Sequence, residues 1–177
     1  LNQVRFFQGK ENEIIQRKQN ISVSIKKGIV SAYKAKKITS TISLQKINFY
    51  QKDLYWEEIS PKSNSFIIEK DEFYILRSKE LISIPNNNAA ELEPFKDSFG
   101  NFRVHYAGFF DPGFGQTNGI PAVLELRAYD TPFIIRDGQL VGQLNYYDIN
   151  IVKNFSYGRS IKSNYHNQSL KLAKQFK

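Results

Sequence analysis

The 177-residue chain reads as an all-β protein. Three observations carry that expectation: short runs in which apolar and polar residues alternate, turn chemistry between the runs, and no amphipathic helical pattern sustained beyond about a dozen residues. In order, the predicted strands are 3–7, 21–26, 65–69, 72–77, 80–84, 102–109, 121–129, 132–136 and 140–148. Asp71, Asn101, Asp130-Thr131 and Asp137-Gly138 supply turns between them. Residues 86–93, Asn-Asn-Asn-Ala-Ala-Glu-Leu-Glu, predict one short helix behind an Asn cap. In 121–129 a period of two puts Ala122, Leu124, Leu126 and Ala128 on one face, and Val123, Glu125 and Arg127 on the other. Glu125 therefore points away from the apolar face, into solvent or into a polar cleft.

At 41% hydrophobic residues the chain is long enough for one compact domain with a core, or one domain and a fragment. It contains no Cys, which excludes disulfides, thiol nucleophiles and Cys-ligated zinc. With only His105 and His166 to add, no protein-built zinc site is expected. No stretch approaches the roughly 18 apolar residues that span a bilayer, and the first residues lack a signal-peptide core, so a cytoplasmic location is expected and no membrane partner. Asn-x-Ser triplets at Asn20, Asn154 and Asn167 would matter only in a secreted protein. The chain starts at Leu1 and holds no Met, so a preceding N-terminal portion is expected.

Charge is unevenly distributed: residues 1–46 carry a net +8, 47–150 a net −6 and 151–177 a net +6. Basic ends around an acidic middle suggest anion binding, by nucleic acid or by a phosphorylated small molecule; a solvated basic surface accounts for the same charge. Lys26-Lys27 and Lys36-Lys37 are expected to be solvated.

Leu1-Asn-Gln-Val-Arg-Phe-Phe7 repeats the pattern of Val141-Gly-Gln-Leu-Asn-Tyr-Tyr147. This echo assigns 1–9 to the closing strand of a preceding, truncated barrel, 10–46 to a basic connector and opening strands, and 47–152 to the barrel proper, with 153–177 following it.

Three consecutive segments are distinctive: His105-Tyr-Ala-Gly-Phe-Phe-Asp-Pro-Gly-Phe-Gly115, Ala122-Val-Leu-Glu-Leu126 and Asp137-Gly-Gln-Leu-Val-Gly-Gln-Leu144. Tyr157-Gly158 and Ser163 to Leu172 follow them, and Asp71 to Leu76 and Ile84-Pro85 precede them. In order and approximate spacing these resemble the motifs of dCTP deaminases in the dUTPase superfamily, and most of all the second barrel of the long, tandem form. Gln116 to Ile120 resembles a partial insertion relative to the short enzymes. The resemblance implies a dUTPase-like distorted β-barrel, β-clip or jelly-roll-like, with a C-terminal arm that closes over a nucleotide.

Deaminating a cytosine needs a nucleophilic water at C4, a proton for the ring and a proton for departing ammonia; one carboxylate near the ring can carry all three. The resemblance implies that this catalytic residue is Glu125. Zinc deaminases use a metal with a Cys-bearing signature instead, which this chain lacks. Asp111 matches the residue facing the deoxyribose 3′-hydroxyl, and backbone groups of Ala122, Val123 and Leu124 would meet the base edge. Tyr157, Gln168 and Lys171 are implied at the triphosphate, with Mg²⁺ carried by the substrate phosphates and no metal ligands from the protein. Taken alone, Asp-Pro-Gly is an ordinary turn, a strand Glu is ordinarily solvated, His105 forms no triad, and Tyr106, Phe109, Phe110 and Phe114 read as core.

The pattern departs from the family in two places. Glu93-Pro-Phe-Lys-Asp-Ser98 stands where an Arg-Ser-Ser-x-x-Arg-like segment supplies phosphate and water contacts, and Asn164 stands where short deaminases tend to have Lys. The first departure implies a composite site completed by the preceding barrel, and an isolated fragment that is inactive. The expected function is conversion of dCTP and water to dUTP and ammonia, with dTTP as a candidate inhibitor and a trimeric or pseudo-hexameric assembly. The alternatives are a dUTP diphosphatase or bifunctional enzyme, a non-catalytic nucleotide-binding or structural barrel, and a basic nucleic-acid-binding β domain, the last expected to show steep salt dependence.

Overall fold

The computed structural model describes residues 18–37, 40–94, 108–115, 118–149 and 170–177, together with the backbone of 102–105. In chain order the strands are β1 (Lys18–Ser22), β2 (Ala32–Ala35), β3 (Trp56–Ile59), β4 (Ser65–Ile68), β5 (Phe73–Ile82), β6 (Asn88–Pro94), β7 (Phe102–His105), β8 (Phe109–Phe110), β9 (Ile120–Ala128), β10 (Phe133–Arg136) and β11 (Leu140–Asp148). A single helical turn, α1 (Lys52–Tyr55), precedes β3. The strands form a four-stranded sheet in the order β1-β11-β6-β8, a five-stranded sheet in the order β3-β2-β5-β9-β7, and a β10-β4 ribbon. Every pairing between these strands is antiparallel.

Period-two alternation builds the core. Along β9 every second side chain is buried, and Ala122, Leu124, Leu126 and Ala128 each expose 1% or less of their surface. They meet Tyr74, Leu76 and Ile82 of β5, and Leu92, Leu144 and Ile21 from the other sheet, in one continuous apolar cluster. Burying such side chains is the main stabilising contribution, about 1.5–3 kcal/mol for each large one.

A bulge in β5 joins the two sheets. The β5–β9 register shifts between Arg77 and Leu81, so Ser78 to Glu80 bow out of the ladder. The buried Ser78 hydroxyl donates to the Glu80 carbonyl (2.7 Å) and accepts the Ala122 N–H (2.8 Å), replacing the lost backbone partner. Glu80 in turn accepts from the backbone and hydroxyl of Ser22 at 2.8 and 2.6 Å, tying β5 to β1.

The predicted Asp137-Gly138 turn between β10 and β11 is present, with Gly138 at φ 75°. Its Asp137 carboxylate accepts from the Ile25 N–H (2.9 Å) and from Lys79 Nζ (2.6 Å). Burial pushes the Asp137 carboxyl upward, but the Lys79 and Ile25 hydrogen bonds outweigh it, and its pKa lies below the ordinary carboxylate value. The group is thus depressed in the folded state. Its contribution is present above the unfolded carboxylate pKa of about 3.9 and is lost as pH falls through the lower folded value. Thermal melts across acidic pH are expected to show this loss, whereas Asp137→Asn should be less stable at neutral pH and lack that component of the acid transition. Parallel pH profiles for the two proteins would refute this role for the ion pair.

Several sequence expectations are corrected. Residues 88–94 form β6, not a helix: hydrogen bonding to β11 on one edge and β8 on the other overrides the helix preference of Ala-Ala-Glu-Leu-Glu. The single strand expected over 102–109 is divided between β7 in one sheet and β8 in the other, with Gly108 at φ 81° before β8. The first described strand is 18–22 in place of 21–26, and β2 and β3, which the pattern missed, form one side of the five-stranded sheet. Predicted strand 3–7, and with it one half of the internal echo, lies outside the described residues.

Candidate functional site

The five-stranded sheet has a second face, turned away from the main core, and Glu125 lies on it. Glu125 is half-buried at the middle of β9, with Ile75 of β5 as one register partner and His105 of β7 as the other. Its same-face neighbours are Val123 and Arg127. Among the described residues no hydrogen bond or ion pair engages the Glu125 carboxylate. A half-buried carboxylate left available in this way can accept or deliver a proton, provided a ligand is held against it.

That face is partly covered by the end of the chain. Leu172 is buried against Tyr33 and Ile75, and Val123, Leu170, Trp56, Phe73 and Phe176 pack around them. Ile75 and Val123 flank Glu125, so the carboxylate stands at the border of this apolar cluster. The end of the chain is fastened by backbone hydrogen bonds from Phe49 and Tyr50 to the Gln175 carbonyl (2.9 and 3.0 Å) and from Lys177 to the Tyr50 carbonyl (2.9 Å). Phe176 packs edge-on to Trp56 and Tyr55, with ring centroids 5.9 and 5.6 Å away. Phe176→Ala is expected to cost about 2 kcal/mol locally, below the 3–5 typical of a fully buried Phe because Phe176 is only partly buried. Hydrogen exchange should report it as lost protection at the Phe49 and Tyr50 amides; unchanged protection would show that Phe176 does not hold this end.

Asp111 follows β8 and is exposed. Its carbonyl accepts from the Phe114 N–H (3.1 Å), while Gly113 donates to the Ile84 carbonyl (3.0 Å) and Ile84 to the Phe114 carbonyl (2.8 Å). The Asp-Pro-Gly turn is thereby docked onto the chain just beyond β5. Phe110 and Phe114 anchor it from within, buried and T-shaped at 5.0 Å, whereas Phe109 is exposed.

The backbone of 122–124 divides by strand alternation. Ala122 donates to Ser78, and Arg77, opposite Val123, turns its carbonyl away from β9 to accept from Ser24. Ala122 and Leu124 therefore direct their backbone groups toward β5, and Val123 directs its own toward β7. The described β7–β9 pairing ends at His105–Glu125. Of the three, Val123 thus has backbone groups on the edge away from β5.

Lys171 is exposed and adjoins Leu172, which packs on the face that carries Glu125. Tyr157 and Gln168, together with Asn164 and the segment 95–98, lie outside the described residues. Among the described residues no group of three or more His, Cys, Asp or Glu side chains is placed to hold a metal ion, and no helix is long and apolar enough to cross a membrane. Sequence reasoning expected a C-terminal arm but not the packing of 170–177 onto the Glu125 face: Leu170, Leu172 and Phe176, set among lysines, do not identify a seat by their spacing, and the clustering of Tyr50, Tyr55 and Trp56 is the one sequence signal for it.

Two packed antiparallel sheets, an Asp-Pro-Gly turn leading into a Leu-Glu-Leu strand, and an available carboxylate on that strand define an all-β, dUTPase-like domain. Residues 1–176 match the family model described as 2'-deoxycytidine 5'-triphosphate deaminase (DCD), C-terminal domain, and the chain belongs to that family. It is similar to the crystal structure of 2'-deoxycytidine 5'-triphosphate deaminase from Agrobacterium tumefaciens, with a TM-score of 0.70 and 38% sequence identity over 74% of this chain and 42% of that one. The chain thus spans less than half the length of that structure. Among curated proteins no relative matches.

Proposed function

We propose that this domain forms the Glu125-bearing part of a dCTP deaminase site, converting dCTP and water to dUTP and ammonia. The observation that carries the reading is the half-buried Glu125 carboxylate at the centre of β9, off the core face and engaged by no described partner. Family membership and the similarity to the Agrobacterium tumefaciens deaminase support it.

In this reading the Glu125 carboxylate takes a proton from water as the water oxygen bonds to C4 of the cytosine. It passes that proton to N3, giving a tetrahedral intermediate. The remaining hydroxyl proton then moves through Glu125 to the amino group, the C4–N bond breaks, and ammonia leaves as the C4 carbonyl of dUTP forms. The Asp111 carboxylate accepts a hydrogen bond from the 3′-hydroxyl. Base-edge recognition falls to the backbone groups of Val123, because those of Ala122 and Leu124 turn toward β5. Lys171, with Tyr157 and Gln168, attends the triphosphate, and Mg²⁺ arrives on the phosphates as part of the substrate. The protein works in a cytoplasmic, self-associated form, with the remainder of the site supplied by chain outside this domain or by another copy.

The test is dCTP turnover by the full-length parent protein and its Glu125→Gln variant, following ammonia and all nucleotide products. Ammonia and dUTP from the parent, lost in the variant, support the reading. Pyrophosphate and dUMP without ammonia would replace it with a diphosphatase, and unchanged turnover in the variant would remove Glu125 from the chemistry.

A further inference from the structure

Arg127 lies on the same face of β9 as Glu125, one same-face position further along the strand, about 7 Å away. It is half-buried, its Nε atom is out of solvent without a hydrogen-bond partner among the described residues, and its guanidinium lies over the Phe73 ring, 5.9 Å from the centroid. Burying a guanidinium nitrogen without a partner is costly, and such a nitrogen is ordinarily hydrogen-bonded to an acceptor. Of the acids around Arg127, Glu69 pairs with Lys34 and Glu72 with Lys37 at 2.8 Å, while Glu125, one same-face position away, forms no ion pair with it. Among the described residues no ion pair reaches Arg127. In the β7–β9 register, Arg127 stands opposite position 103.

From this placement we infer that Arg127 binds the phosphate chain of the nucleotide whose base is held at Glu125. The inference rests on the proposed deaminase reading and adds to it a specificity residue. A guanidinium suits the role: its planar fork can donate two parallel hydrogen bonds to phosphate oxygens, and the Phe73 ring lies beneath it. The strand spacing matches the ligand, since a nucleotide with its base at one same-face position extends its phosphates over the next. Arg127 would thus discriminate dCTP from deoxycytidine, which presents the same base without the charge.

The experiment uses the full-length protein carrying Glu125→Gln, so that binding is read without turnover, with and without Arg127→Gln. Affinities are measured calorimetrically for dCTP, deoxycytidine and inorganic tripolyphosphate. Loss of a charge-assisted contact is expected to weaken dCTP and tripolyphosphate about 10- to 100-fold and leave deoxycytidine unchanged. Arg127→Lys, which keeps the charge and the stem, should recover part of the dCTP affinity and decides the matter if the Gln variant does not fold. Equal weakening of all three ligands would show a structural role, and undiminished tripolyphosphate binding would place the phosphates elsewhere; either overturns the inference. If the parent releases no ammonia from dCTP while Arg127→Gln still costs phosphate affinity, the deaminase reading fails and the phosphate site stands.

Discussion

Glu125→Gln in the full-length protein is expected to lower kcat for dCTP by about 100- to 10,000-fold while dCTP still binds. The effect is large because Gln keeps the shape and polarity of the side chain and removes only its capacity to carry protons. The structure favours a clean measurement. Glu125 projects from the non-core face of β9, its neighbours Ile75 and Val123 pack with the chain end, and no described partner loses a hydrogen bond or ion pair when the carboxylate becomes an amide. The change in stability should therefore stay within about 1 kcal/mol, as for substitutions away from the core and its networks. A fall in kcat with dCTP affinity retained separates proton transfer from binding, since a group needed only in the reacting state leaves ground-state affinity in place. Parallel loss of affinity and stability would instead mark Glu125 as structural.

How much of this arrangement is legible in the sequence depends on whether a residue's environment is set along its own strand or by a distant segment. β9 is legible because its two faces differ sharply: alternating Ala122, Leu124, Leu126 and Ala128 fix the core side, and Glu125 and Arg127 follow on the other by parity. Asp137-Gly138 is legible because Asp and Gly supply the turn locally. β6 was hidden, since Ala-Ala-Glu-Leu-Glu suits a helix and becomes a strand only between β11 and β8. β2 and β3 are four-residue strands, Ala-Tyr-Lys-Ala and Trp-Glu-Glu-Ile, without the β-branched runs that advertise a strand, and only their pairing defines them. The site divides in the same way. Glu125, Asp111 and Val123 stand on a strand and turn that local pattern can find. The packing of Leu172 and Phe176 onto the Glu125 face depends on Tyr33, Trp56 and Ile75, far away in sequence and joined only by the fold. Arg127 was visible as a residue on the polar face, but its unpartnered Nε, and the pairing of Glu69 and Glu72 with their own lysines, emerged only from the fold.

Gly115→Ala is expected to destabilise the domain by about 2–5 kcal/mol and to displace the Asp111 turn from β9. Gly115 has φ 65°, where an L side chain costs about 1–2 kcal/mol. A Cβ there would press into the Ile82 carbonyl oxygen, closer than van der Waals contact allows, and sit 3.1 Å from the Ile120 nitrogen. Both obstacles are backbone, so no side-chain rotation relieves them, and the strand ends must separate at a further cost of about 1–3 kcal/mol. The same place is crossed by the hydrogen bond from Gly119 to the Gly115 carbonyl (2.8 Å) and by the pairing of Ile84 with Gly113 and Phe114. These contacts hold the turn that presents Asp111, so loss of stability and loss of nucleotide affinity should come together. Gly108→Ala is the matched control: its φ is 81°, yet an added Cβ meets nothing within 4 Å, so only the conformational cost remains. Urea unfolding of the two variants should give a clearly lower midpoint for Gly115→Ala than for Gly108→Ala, at similar slopes. Equal midpoints would mean that backbone conformation alone sets the cost, and that the close approach of Gly115 to β5 does not position the Asp111 turn.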